Sequence, residues 1–183
     1  GHVQISGPNT SLSSNFGVVF VANGEQINRI DLTPSSNTMP EESDRSMGQL
    51  IGSPPSETSL DDVYAVASTD AVFLAWSKEE KNISLWDAGA LLNDLPKPNK
   101  AKAPNTDGIL VAEGLFAAIG TNDGIWRYDI TDPEGSFSRE KTWHPELDQG
   151  LIDLTVHPDT GTIYALTRDG VVSLLTDGRV NYH

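Results

Sequence analysis

Cysteine is absent from these 183 residues, and with it go disulfides, thiolate metal sites and cysteine nucleophiles. The same absence leans towards a reducing, intracellular compartment. Cations are scarce: 12 Lys and Arg against 26 Asp and Glu give a formal net charge of −14. That balance excludes sequence-independent nucleic-acid binding, which depends on Lys and Arg neutralising phosphates. It also argues against anionic membrane surfaces. Long apolar runs are missing too. No stretch approaches the roughly 20 apolar residues of a membrane helix, and no charged-then-apolar leader is visible. There is no Gly-x-Ser-x-Gly elbow, no glycine-rich loop leading into a lysine and helix, and no complete Asp-x-Asp-x-Asp-Gly calcium loop. No cofactor and no metal are therefore expected.

What is present is repetition. Val18-Val19-Phe20-Val21-Ala22 is followed by Ala71-Val72-Phe73-Leu74-Ala75, Gly114-Leu115-Phe116-Ala117-Ala118 and Gly161-Thr162-Ile163-Tyr164-Ala165. Each is trailed by a second β-rich phrase: Ile27 to Asp31, Ile83 to Asp87, Ile125 to Asp129 and Val171 to Leu175. The alanines Ala22, Ala75, Ala118 and Ala165 are 53, 43 and 47 residues apart, with several short strands per unit, as in β-propeller blades. A blade cannot bury its apolar faces alone and must stack on neighbours. The expectation is an all-β chain with about four blade-like units, approximately 3–50, 60–95, 106–142 and 150–183. It would form one small ring, a segment of a larger ring, or half of one completed by a partner chain.

Between these units, 33–60 and 93–106 read as long surface loops. Val3 to Ile5 and Met47 to Ile51 read as short strands, and Ala88 to Leu92 as a short helical turn. The tract Pro96 to Pro104 holds Lys97, Lys100 and Lys102 without an acid, and its proline spacing suggests an extended connector. Asn23-Gly24, Thr121-Asn122-Asp123-Gly124 and Arg168-Asp169-Gly170 read as hairpin turns, the last two of type I′. Asp31, Asp87 and Asp129, each ending a strand, are placed to accept N–H groups from the following turn.

Trp86-Asp87 resembles the dipeptide that names WD40 repeats. No unit carries the Gly-His start, and one unit alone has Trp-Asp, so the likeness is to a divergent, WD-like propeller over the whole chain. Asn15 to Ala22, followed by an acidic, loop-rich unit ending Trp86-Asp87-Ala88-Gly89-Ala90-Leu91-Leu92, is also similar to the opening blades of messenger-RNA-export nucleoporins. That resemblance implies docking of a DEAD-box helicase through its basic face.

Of the four histidines, His2 reads as a tag remnant and His183 is the last residue. His144 with Glu146, Asp148 and Asp153 reads as a polar loop before a metal or acid–base cluster, and His157 as a turn residue. The balance favours a non-enzymatic scaffold that binds a protein with a basic face, using the loop acids Glu41, Glu42, Asp44, Asp61 and Asp62 together with an exposed Trp143. The alternative is a propeller hydrolase, or a sugar- or metal-binding module, acting through carboxylates that face a central channel.

Overall fold

Short apolar runs punctuated by turn residues dictate strands, and the computed structural model of the chain contains sixteen of them. It describes residues 11–15, 18–22, 27–31, 49–50, 63–87, 97–133, 135, 137–145 and 150–183, the first sheet by its backbone alone. Four antiparallel sheets of four strands follow one another along the chain. The first holds β1 (Ser11–Asn15), β2 (Val18–Ala22), β3 (Ile27–Asp31) and β4 (Gln49–Leu50). The second holds β5 (Val63–Ser68), β6 (Val72–Ser77), β7 (Asn82–Asp87) and β8 (Asn99–Lys102). The third holds β9 (Gly108–Glu113), β10 (Phe116–Thr121), β11 (Gly124–Asp129) and β12 (Arg139–Trp143). The fourth holds β13 (Leu151–Val156), β14 (Ile163–Thr167), β15 (Val171–Leu174) and β16 (Val180–Tyr182). In every sheet the strands pair in chain order. No helix occurs among the described residues.

The sheets stack as an arc. β1 lies against β5, β5 against β9 and β9 against β13, so the first strand of each sheet faces the centre. The core therefore lies between sheets. Leu74, Trp76, Ile83 and Leu85 of the second pack on Leu110, Ala117, Ile119 and Tyr128 of the third. Ala118, Ile125 and Trp143 of the third pack on Leu154, Val156, Ile163, Ala165, Val172 and Leu174 of the fourth. Fully burying one Leu or Ile contributes about 1.5–3 kcal/mol, so each seam outweighs any single hairpin. Polar ties cross the seams as well. Trp76 Nε1–H donates to Pro104 O at 2.9 Å, and Tyr128 Oη–H to Lys102 O at 3.0 Å. Phe73 and Trp86 sit on the opposite face of the second sheet, cross-strand partners with ring centroids 5.7 Å apart.

Several expectations change. The connector 93–106 contains β8, the fourth strand of its sheet, with Ala101 buried and Lys100 and Lys102 exposed. This is an edge strand, where alternating lysines discourage pairing with another chain. The third unit runs to Trp143 rather than 142. β1 falls at Ser11–Asn15, whereas Val3 to Ile5 lies outside the described residues, as do Asn23-Gly24 and Ala88 to Leu92. The hairpins at Asn122-Asp123 and Arg168-Asp169 are not type I′, which needs left-handed φ at both central residues. Lys81, at φ 55°, is the one non-glycine with left-handed φ among the described residues. These turns are held instead by threonine. Thr121 Oγ1 accepts the Asp123 N–H at 3.1 Å and donates to Gly124 O, and Thr167 repeats the pattern with Asp169 and Gly170.

Candidate functional site

In a four-stranded meander the turns after the first and third strands lie at one end of the sheet, and the turn after the second lies at the other. The short connection of 103–107 from β8 to β9 returns the chain at that other end, so successive sheets keep the same sense. Exposed carboxylates stand at both ends: Asp70 in the β5–β6 turn, Glu113 at β9–β10, Asp129 and Asp132 after β11, Asp159 at β13–β14 and Asp177 after β15 at the first, and Glu79, Glu80, Asp107, Asp123 and Asp169 at the other. Several are fixed by the turns they close. Asp129 accepts the Thr131 N–H at 2.9 Å, as expected for an acid ending the third strand, and Asp132 accepts the Gly135 N–H at 2.9 Å. The Arg179 backbone N–H and then its guanidinium hold the Asp177 carboxyl below its ordinary range.

Two of these turns meet. Gly114 has φ +56°, and a Cβ there would lie 2.7 Å from Pro158 O, so the β9–β10 turn is seated against the β13–β14 turn. Leu115, at the tip, is 52% exposed, with Glu113 before it and Asp159 on the abutting turn. A projecting apolar side chain between carboxylates has the make-up of an interface anchor with a charged rim. Sequence reasoning missed Leu115 because it belongs to the repeated strand phrase, and only the turn geometry lifts it out of the core.

The expected exposure of Trp143 is corrected: the ring is 4% exposed, inside the seam between the third and fourth sheets. Arg127 and Lys141 stand 5.5 and 5.3 Å from its ring. Its indole N–H meets no acceptor among the described residues. Buried Arg127 donates twice to Glu140, at 2.9 and 2.7 Å, and once to Gly161 O across the seam at 3.1 Å. This cluster ties sheets together. Glu41, Glu42, Asp44, Asp61 and Asp62 lie outside the described residues. In sequence the first three fall between β3 and β4 and the last two between β4 and β5.

The remaining chemistry is dispersed. His144 Nδ1 is 3.0 Å from Asp123 O, His157 Nδ1 accepts the Asp159 N–H, and Asp153 accepts the Leu154 N–H. Glu146 and Asp148 lie outside the described residues. No group of three His, Cys, Asp or Glu suited to a metal occurs among the described residues. The inner strands β1, β5, β9 and β13 carry two carboxylates, Glu113 and Asp153, towards opposite strand ends. A shallow cavity of about 320 Å³ opens on the fourth sheet between Thr167, Asp169, Val171, Tyr182 and His183. Of the lysine tract, Lys100 pairs with Glu80 at 2.7 Å. Lys100 and then Asn82 hold the Glu80 carboxyl below its ordinary range.

No family model matches this chain, and no curated protein matches it. Solved folds do. Sqt1 of Saccharomyces cerevisiae superposes at TM-score 0.65 and 13% identity, over 93% of this chain and 45% of that one. The WD40 β-propeller domain of Doa1 gives 0.59 and 14%, over 93% and 52%. Kuenenia stuttgartiensis hydrazine synthase gives 0.63 and 14%, over 100% and 52%. The chain has a propeller fold. It spans about half the length of these three chains. At such identities the likeness concerns architecture alone, and the propeller's four blades are the four sheets described above.

Proposed function

We propose that this propeller is a non-enzymatic scaffold that binds a protein through the end of its blades that carries Leu115, the partner presenting a basic face with an apolar pocket. The observation that carries the reading is Leu115, exposed at a turn seated on its neighbour and flanked by Glu113 and Asp159. A net charge of −14 steers a basic partner towards the chain and repels acidic ones. Glu41, Glu42 and Asp44 are kept in this reading as candidate contacts for the basic face. Asp61 and Asp62 are kept as candidate contacts in the same way. The segments similar to messenger-RNA-export nucleoporins support a helicase-type partner as the specific form of this reading.

The test is capture of partners at low and high salt, followed by affinity measurements on the partner recovered. Leu115→Ala and the pair Glu113→Lys, Asp159→Lys should each weaken binding at least about tenfold at low salt. Glu79→Lys, at the opposite end, should leave it unchanged. Equal losses from both ends would mean that total charge, and no particular surface, drives association.

A further inference from the structure

We propose that the outward face of the fourth blade is the seat for the first blade of a second copy of this chain, so that two open arcs close into one ring. The hairpin-closing residues Ser77, Thr121 and Thr167 set β6, β10 and β14 in a common register. In that register the positions turned towards the next blade are Leu74 and Trp76 in β6, and Ala118 and Gly120 in β10. Both are covered. Leu74 and Trp76 are wholly buried against the third blade, and a Cβ on Gly120 would lie 2.6 Å from Leu151 Cδ2 of the fourth.

The same positions in β14 are Tyr164 and Leu166, which are 39% and 41% exposed, and Ile152 beside the β13 bulge is 50% exposed. The backward positions Ile163 and Ala165 are buried in the seam with the third blade. The fourth blade therefore exposes large apolar side chains at positions that the two preceding blades bury. At the other end of the arc, β5 meets one face of the first sheet. β2 is apolar at all five positions, hence at both parities, a pattern of strands in sheets covered on both faces. No comparable packing joins β13 to β1.

A second copy satisfies both ends with one kind of interface. A two-fold axis through the centre places each first blade on the other copy's fourth, and the contact closes rather than propagating. Two copies give eight blades, within the usual range of about 4–8. Each copy carries −14, so salt screens the repulsion between them and strengthens pairing. Binding to a basic partner has the opposite salt dependence. The inference rests on the packing alone and does not depend on the proposed function.

The experiment is light-scattering mass of the 183-residue chain over a dilution series at low and high salt, beside Tyr164→Lys, Leu166→Lys. The expected result is a particle of twice 19.7 kDa that dissociates on dilution and persists further at high salt. The double variant should stay at the monomer mass with an unchanged far-ultraviolet circular dichroism spectrum. Should that variant fail to fold, amide exchange of β14 and β15 in the unmodified chain replaces it, with protection rising with concentration if the inference holds. A monomer at every concentration and salt, a particle of any other mass, a dimer that survives the double substitution, or exchange that ignores concentration would each overturn it.

Discussion

Arg127 shows how one side chain converts charge into architecture. Its planar fork satisfies Glu140 with two donors and Gly161 O with a third, while its face lies between Phe116 and Trp143. A lysine offers one point charge and no fork. Arg127→Lys should lower unfolding free energy by about 1–3 kcal/mol, read by denaturant melts. Glu140→Gln should cost less, because Glu140 is half-exposed and water replaces part of the pair. Trp143 poses the reverse case, a buried donor without an acceptor among the described residues. Trp143→Phe removes that donor along with some area, so the net change should stay within about 1 kcal/mol. Trp143→Ala should cost about 3–5 kcal/mol. Tyr128 titrates above the ordinary tyrosine range because burial disfavours the phenolate. Above about pH 10 the unfolded chain binds fewer protons than the folded one, so stability falls as pH rises, by up to about 1.4 kcal/mol per unit. Tyr128→Phe should flatten that slope between about pH 10 and 11. An unchanged slope would mean that Tyr128 ionises in the folded chain.

At the scale of elements, the hairpins were the legible part. Runs such as Val72 to Trp76 and Leu115 to Ile119 announce strands by apolar density and turns by their polar tips; both strands form, the first reaching Ser77 and the second running from Phe116 to Thr121 with Leu115 left in the turn. β1 and β8 did not announce themselves. Ser-Leu-Ser-Ser-Asn and Asn-Lys-Ala-Lys carry one large or one small apolar residue each, and tertiary pairing decides their conformation. The repeated alanine proved a poor register mark. Ala75 and Ala165 face back along the arc, while Ala118 faces forward. The closing Thr or Ser keeps register better because its hydroxyl performs the turn. Thr167→Val preserves shape and removes both hydroxyl bonds, so a loss of about 1 kcal/mol is expected. A larger loss would show that the fourth blade depends on this turn for its register as well. The candidate interface was legible only as an acidic tendency. Composition gives the charge, but the turn seating Gly114 on Pro158, which lifts Leu115 outward, arises from packing between the turns of two successive blades.

For the whole molecule, the deciding question is whether its charge helps or hinders the fold. Four ion pairs are formed among the described residues: Lys78–Asp107, Lys100–Glu80, Arg127–Glu140 and Arg179–Asp177. Three of them reach solvent, where a pair contributes about 0–1 kcal/mol and salt weakens it. Against them stands a net charge of −14 spread over turns that bring Asp70, Asp129, Asp132, Asp159 and Asp177 to one end. Unfolding separates these carboxylates, so repulsion destabilises the compact state, and the Debye length of about 10 Å at 0.1 M limits it only partly. With 26 acids against 12 cations, repulsion exceeds three weak attractions. The unfolding midpoint should therefore rise by several degrees between about 0.01 and 0.5 M sodium chloride. The measurement belongs on the Tyr164→Lys, Leu166→Lys chain at high dilution, so that salt-driven pairing of copies does not contribute. A midpoint that falls with salt would mean that the ion pairs dominate, and that the acidic turns are tolerated because each is locally paired.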